Sequence, residues 1–400
     1  MVNAQRHPRQ LLIAGAGIGG LAAALASARA GWQVRVFEQA REFGEVGAGL
    51  QLGPNVTRLL AEWGLSPALE RVAAFPGRLR VRSALTGHDI GHMGLGHEIA
   101  DRYGAPYATL HRADLHALLL AAVQLRDDVA LNIDARVSGL DVVGTGVQVQ
   151  LAGQAEPVEG DALVGADGIW SRVRELAWND GPATPTGHLA YRALVPQTAL
   201  PAVLRSNDVT AWLGPRLHVI SYPVRRGELL NLVAFVHGEL DGDTEGWDHA
   251  AVAADLRAAM GPVCTPLQDL LQAAPAWGLW VLCDRAPLAS AAQMVRGRIA
   301  LLGDAAHPMR PYLAQGAGMA IEDAYVLGQS LALCGELEVE EVLARYARLR
   351  WPRASRVQAR SRRNGRIFHL TGPMRLGRDL SVGLLGRHIL DVPWLYGGRL

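Results

Sequence analysis

Two residues on one short segment have the types that acid–base chemistry needs. His218 and Tyr222 lie four apart in Leu217 to Val224, a run that reads as a strand. Period-two alternation puts both on one face, with Ile220 between them. Their Cα atoms would stand roughly 13 Å apart at about 3.3 Å per residue, so inward-leaning side chains could bracket one planar ring. An imidazole is close to neutral at physiological pH and accepts a proton readily. The same spacing also fits a histidine and a tyrosine that only pack on a sheet face, and spacing alone favours that plainer arrangement. Tyr191, Leu213 and Tyr312 are further pocket candidates.

A second set of residues has the types that bind an anion. The apolar run Leu11 to Ala14 is long enough for a buried strand, and Gly15, Gly17 and Gly20 follow at Gly-x-Gly-x-x-Gly spacing, with Gly19 completing the cluster. An Ala- and Leu-rich segment from Leu21 to Arg29 suits a helix, Gly31 ends it, and Val34 to Phe37 is a second strand closed by Glu38. Gly15 permits the tight turn, Gly17 admits a diphosphate to the backbone, and Gly20 lets the helix pack on the strand. The helix start offers free N–H groups and a positive dipole end. Glu38 can accept from ribose hydroxyls. In a chain with 45 Gly the glycine pattern alone means little; strand, glycines, helix, strand and acid in order specify a dinucleotide.

Other elements must bring these sets together. Arg41 to Pro54 is a Gly-rich loop containing Gln51, of the kind that lines a cofactor or simply crosses the surface. Leu79 to Arg82 and His88 to Met93 read as strands about a Thr86-Gly87 turn, and Arg112 stands at the start of a helix reaching Val123. Asp167-Gly168-x-x-Ser171-x-x-Arg174 sets a carboxylate and a cation at one corner. Between Gly187 and His237 four short alternating runs read as an antiparallel sheet. Gly238 to Gly246 is acidic and expected to be exposed; Ala250 to Met260 and Leu267 to Ala274 read as helices. A buried strand ending in Gly303-Asp304 follows. A loop from Met309 to Gly318 then leads to a helix from Met319 to about Cys334. The nucleotide-binding pattern therefore brackets an inserted sheet.

The 400 residues suffice for two domains, and half of them are hydrophobic, so a large core is expected. A net charge of +1 gives no support for a nucleic-acid or membrane partner. All 39 basic residues are Arg, so no single arginine is a signal. Nine of them fall between Arg345 and Arg366, which reads as an Arg-faced helix. Cys264, Cys283 and Cys334 form no Cys-x-x-Cys pair, so neither a disulfide frame nor a metal site is indicated. A reducing cytoplasm is the simple expectation.

The three motifs in order, Gly15-x-Gly17-x-x-Gly20 with Glu38, Asp167-Gly168-x-x-Ser171-x-x-Arg174, and Gly303-Asp304-Ala-Ala-His-Pro, resemble those of single-component, class A flavoprotein aromatic hydroxylases. Within that family the chain is most similar to the salicylate hydroxylase and 3-hydroxybenzoate 6-hydroxylase branch. The resemblance implies an α/β fold: a discontinuous Rossmann-like FAD-binding domain over residues 1–75, 104–182 and 283–345. A mostly antiparallel β-sheet substrate domain over 76–103 and 183–282 is inserted in it, and residues 346–400 form a helical C-terminal segment.

The resemblance also implies site roles. Gly15, Gly17, Gly19, Gly20 and Glu38 would hold the ADP half of FAD, Arg112 the diphosphate side and Asp304 the ribityl chain. Asp167 would sit where family members contact FAD, with a contact to NAD(P)H left open. The backbone of Gly316, Ala317 and Gly318 would face the flavin pyrimidine. The branch carries a His-x-x-x-Tyr pair matching His218 and Tyr222, which implies base and substrate anchor; Gln51, Tyr191, Leu213 and Pro311 would line the substrate. Ala314 stands where the family often has Gly. Pro311 stands where a 3-hydroxybenzoate 6-hydroxylase is expected to have Gln, and Gln51 where a 6-hydroxynicotinate hydroxylase is expected to have His.

The activity so implied uses NADH or NADPH, with NADH favoured, to reduce FAD; O2 then gives a flavin hydroperoxide that attacks an electron-rich small aromatic ring. A free phenol titrates near ten, about like Tyr, so a base would help. A homodimer is a family-level expectation. A flavin reductase, epoxidase or halogenase on the same fold, a 6-hydroxynicotinate hydroxylase, and a regulatory flavin-binding module are the competing readings. Which arginine meets a substrate carboxylate is open between Arg192, Arg310 and others.

Overall fold

The computed structural model describes residues 9–44, 48–239 and 249–398. Five parallel strands run in the order Ile299–Leu301, Ala162–Gly165, Gln10–Ala14, Gln33–Phe37 and Val129–Asn132, with Val295–Arg296 antiparallel at one edge. Leu11, Leu12 and Ile13 of the central strand are fully buried, as a strand covered on both faces must be. The helix Ile18–Arg29 lies over it, and its small side chains admit a second helix, Gly316–Leu331. The fit is tight: a Cβ on Gly328 would stand 2.8 Å from the Ala26 carbonyl oxygen.

The second sheet has eight strands, in the order His249–Ala251, Trp277–Asp284, Thr184–Pro196, Leu229–His237, Leu217–Val224, Val209–Gly214, Arg78–Ser83 and Asp89–Gly94. Neighbours are antiparallel except Val209–Gly214 beside Arg78–Ser83. That parallel pairing joins chain stretches that lie far apart in sequence, as parallel strands require. One face, with Leu189, Val219 and Leu232, packs on the helices Ala253–Met260 and Thr265–Gln272 through Leu256 and Leu267. The other face carries His218 and Tyr222. Smaller sheets pair Gly49–Leu52 with Ala108–His111, and Val137–Val143 with Gly146–Leu151 and Val158–Gly160.

The C-terminal stretch forms helices Val339–Phe368 and Gly372–Leu390. The first does present exposed arginines, Arg348, Arg356, Arg363 and Arg366, but two others turn inward. Arg350 is fully buried, with Nη1 2.9 Å from Glu322 and Nε 2.6 Å from Asp323, and Arg353 also pairs with Glu322. Two adjacent acids on the helix Gly316–Leu331 therefore draw these two arginines inward. That helix begins at Gly316, three residues earlier than the sequence suggests, because Gly316, Ala317 and Gly318 are its first turn. Part of the expected loop from Arg41 to Pro54 is the strand Gly49–Leu52, and Ala250 lies in a short strand rather than a helix. The acidic stretch falls, from residue 240 on, outside the described residues. Among the described residues no helix is long and apolar enough to cross a membrane.

Candidate active site

The glycine turn lies at the carboxyl end of the central strand, at the point where neighbouring strands are reached in opposite directions, the usual place for a ligand in such sheets. Gly15 has φ +96°, and a Cβ there would meet the Ala166 oxygen at 2.6 Å. A Cβ on Gly20 would fall 1.9 Å from the Gly15 oxygen, so this residue brings helix onto strand. Gly19 has a similar packing task against Leu302 and Ala320. The first turn of the helix after Gly17 has neither a side-chain cap nor an acid, which leaves its N–H groups for an anion. Glu38 accepts from the N–H of Ala16 and of Ala40, each at 2.8 Å. A carboxylate has about four lone-pair sites, so acceptor capacity remains for ribose hydroxyls. His116 holds the Ala16 carbonyl at 2.8 Å and fixes the same turn from the other side. Arg112 begins the helix Arg112–Gln124, its backbone N–H bonded to the Ala48 oxygen at 2.8 Å.

The second and third motifs are fastened to each other. Asp167 accepts from Ser171 Oγ at 2.5 Å and from the Val173 N–H at 3.0 Å. Burial raises its carboxyl above the usual range, against the pull of those bonds. Ser171 caps the helix Arg172–Trp178 by accepting from the Arg174 N–H. Arg174 pairs with Asp180 and donates to the carbonyls of Ala305 and Ala306. Asp304 sits in the turn so held, Gly303–Ala305. Below it, Asp323 accepts from the Gly303 N–H at 3.0 Å and pairs with His307 and Arg350. Burial pushes the Asp323 carboxyl up, but His307 and Arg350 outweigh it and hold the group down at about 2. The helix starting at Gly316 also lacks a side-chain cap and an acidic first turn, and a Cβ on Gly316 would meet nothing within 4 Å. Two open helix starts, an acid beside the first and Asp304 beside the second fit the diphosphate, ribose, ribityl and pyrimidine groups of FAD.

The strand pairing sets the eight-stranded sheet out in rows. Leu213, His218, Phe235, Ala190 and Trp280 are successive partners across the sheet and share one face. The next row is Ala211, Ile220, Val233, Arg192 and Gly278, and the next pairs Tyr222 with Asn231 and Asn231 with Leu194. Arg192 therefore lies in the row between the base and phenol candidates, over the Trp280 ring. At the Tyr222 row the strand Gly49–Leu52 comes against the sheet: the Gly49 N–H donates to Asn231 at 2.7 Å. Gln51 hydrogen-bonds Tyr222 and accepts from the Tyr107 hydroxyl at 2.7 Å.

His218 sits in an aromatic box. Phe235 stacks on it at 4.4 Å between ring centroids and 16°, and Tyr312 and Phe368 present edges at 5.1 and 5.3 Å. Pro311 precedes Tyr312 in the chain, Asn364 holds the Tyr312 carbonyl at 3.0 Å, and the Tyr312 hydroxyl bonds His188 Nδ1. His218 Nδ1 lies 2.8 Å from His369 Nε2, while His218 Nε2 is buried without a partner. Burial foremost, then the neighbouring His369, His188 and Arg378, push the His218 pKa well below the usual imidazole value. The ring is therefore held neutral.

One expected pocket residue is misplaced by the sequence reading. Tyr191 has the opposite parity to Arg192 and packs on the back face with Leu256 and Leu267. Arg310, a candidate for a substrate carboxylate, is paired with Asp284 at 2.7 Å. His188, His237 and His369 escaped sequence reading. His188 and His237 are cross-strand partners at strand positions with no flanking motif, and His369 arrives from the C-terminal segment. Only the period-two parity of His188 with Ala190 and Arg192 pointed to the site face.

A family model described as FAD binding domain matches residues 9–361. The 3-hydroxybenzoate 6-hydroxylase of Polaromonas naphthalenivorans is 38% identical over 393 residues, covering 97% of this chain and 95% of that protein. The 3-hydroxybenzoate 6-hydroxylase 1 of Aquipseudomonas alcaligenes is 37% identical over 391 residues, covering 97% of each. Among solved structures, Klebsiella pneumoniae HpxO complexed with FAD and uric acid superposes with a TM-score of 0.83 at 25% identity, covering 96% of this chain and 95% of that one.

Proposed function

This chain belongs to the FAD-binding-domain family of flavin-dependent aromatic hydroxylases, and from that membership we propose that it hydroxylates a phenolic aromatic acid of the 3-hydroxybenzoate kind, using NAD(P)H and O2. The observation that carries the reading is the partnerless Nε2 of His218, in an aromatic box on the sheet face against which the strand Gly49–Leu52 lies.

Bound flavin supplies the electron transfer and oxygen activation. The residues of this chain prepare the ring. His218 Nε2 takes the proton of the substrate hydroxyl, and the resulting oxygen anion pushes electron density to the positions ortho and para to it. In a 3-hydroxybenzoate, carbon 6 is para to that oxygen. Arg192 meets the carboxylate, since a guanidinium forks onto a carboxylate in two hydrogen bonds. Tyr222, steadied by Gln51, anchors the other edge. Phe235, Tyr312 and Phe368 keep water from the base.

Purified protein loaded with FAD tests this directly. NADH oxidation should quicken with 3-hydroxybenzoate, and the dihydroxy product should accumulate. A panel of hydroxybenzoates that leaves NADH oxidation unchanged would remove the substrate class.

A further inference from the structure

We propose that His218, His369 and His237 form a proton relay that carries the substrate's hydroxyl proton from the buried base to solvent, with His237 as the exit. The proposal rests on the reading of His218 as the base. Its ground is a continuous hydrogen-bonded line: His218 Nδ1 to His369 Nε2 is 2.8 Å, and His369 Nδ1 to His237 Nε2 is 2.9 Å. His218 is fully buried, His369 is 7% exposed, and His237 is exposed.

The orientation of the rings gives the line a direction. If each imidazole donates outward from Nδ1, His218 Nε2 keeps its lone pair, and this is the atom with no protein partner. The reverse polarity would leave an N–H at that atom and disable the base. Transfer then proceeds bond by bond. The substrate O–H breaks as His218 Nε2–H forms, and the electron pair stays on oxygen. His218 Nδ1–H breaks as His369 Nε2–H forms. His369 Nδ1–H breaks as His237 Nε2–H forms, and the His237 Nδ1 proton passes to water. One proton leaves the substrate, one enters solvent, and nothing is oxidised or reduced. A proton returning along the line to the product oxygen restores the starting tautomers.

Such a line answers a need of the site. Burial first, then surrounding charge, keeps both inner imidazoles from storing a proton: His369 is pushed down to about 3, with His188, His237, Arg378 and Arg310 adding to burial. His237 is lowered by its own partial burial and by Arg216. His188, lowered to about 4 by burial, His237 and Arg310 against the opposing pull of Asp284, bonds Tyr312 and serves as a wall rather than a link.

The test uses FAD-loaded enzyme with 3-hydroxybenzoate and NADH. Hydroxylation rates are read across pH, in H2O and D2O, with and without added imidazole. His369→Gln should slow hydroxylation about 100-fold and His237→Gln about 10-fold, within the range for lost proton transfer. Both should retain FAD and substrate affinity, and both should recover with imidazole. Because His237 is exposed, its variant should fold even where the His369 variant does not. Wild-type rates in both variants overturn the relay. So does a slowing that imidazole leaves untouched with an unchanged solvent isotope effect. His218→Ala separates the two readings: lost turnover there with normal His369→Gln and His237→Gln enzymes removes the relay and keeps the base, whereas normal turnover in His218→Ala removes both.

Discussion

Arg174 Nη1 donates to the Ala306 carbonyl at 2.7 Å and to Ala305 at 3.0 Å, so the helix of the second sequence motif holds the loop of the third. The Asp-Gly-x-x-Ser-x-x-Arg spacing thus has a mechanical meaning. Asp167 and Ser171 fix the start of the helix, and the helix aims Arg174 at the turn that carries Asp304.

Arg174→Gln should loosen that turn. Charge-assisted bonds of this kind contribute about 1.5–3 kcal/mol, so FAD affinity should fall about 10- to 100-fold. Titration of the apoprotein by flavin fluorescence measures it. Arg174→Lys should recover little, because a lysine cannot bridge two carbonyls and Asp180 in one plane.

Ala314→Gly should stabilise the protein. Ala314 has φ +51°, in the turn closed by its N–H to the Pro311 oxygen at 3.1 Å. A side chain costs about 1–2 kcal/mol in that region, and glycine's greater unfolded-chain freedom returns about 0.4–1 kcal/mol of it. The thermal midpoint should rise, with hydroxylation unchanged.

Much of this architecture was legible in the residue order. The strand, glycine turn, helix and acid from Leu11 to Glu38 repeat a local pattern in which every residue type has a steric or electrostatic reason. Alternation likewise located the sheet and the shared face of His218 and Tyr222. No alternation argument placed Tyr191 in the pocket, and its parity, opposite to that of Arg192, turns it to the back face. What the sequence concealed is what comes from far away. His369 reaches His218 across 151 positions, and no local pattern records such a contact. The inward arginines were hidden by composition: in a chain without lysine, Arg350 looks like any other cation until Glu322 and Asp323 are seen beneath it.

Arg192→Met should raise KM for 3-hydroxybenzoate with a smaller change in kcat, because it removes a cation from the row between His218 and Tyr222. Loss of a charge-assisted pair predicts a rise of about 10-fold or more. Tyr191→Phe, on the back face, should leave KM unchanged. Steady-state kinetics on the two variants reads both.

Acid should unfold the enzyme from mild pH downward. His188 and His369 are lowered to about 4 and about 3, first by burial. Below an unfolded histidine pKa near 6.5 the unfolded chain binds protons that the folded chain does not. Stability from these groups is therefore full above that pH and declines as pH falls toward the folded values, by up to about 1.4 kcal/mol per unit for each group. Denaturant midpoints between pH 7 and 5 should drop for wild type and drop less for His369→Gln.

Hydroxylation by FAD-loaded His218→Ala at saturating 3-hydroxybenzoate, compared with wild type, tests the assignment of the base most directly. The variant should show a normal flavin spectrum and a rate of dihydroxybenzoate formation about 100- to 10,000-fold lower. Product formation at the wild-type rate would contradict it.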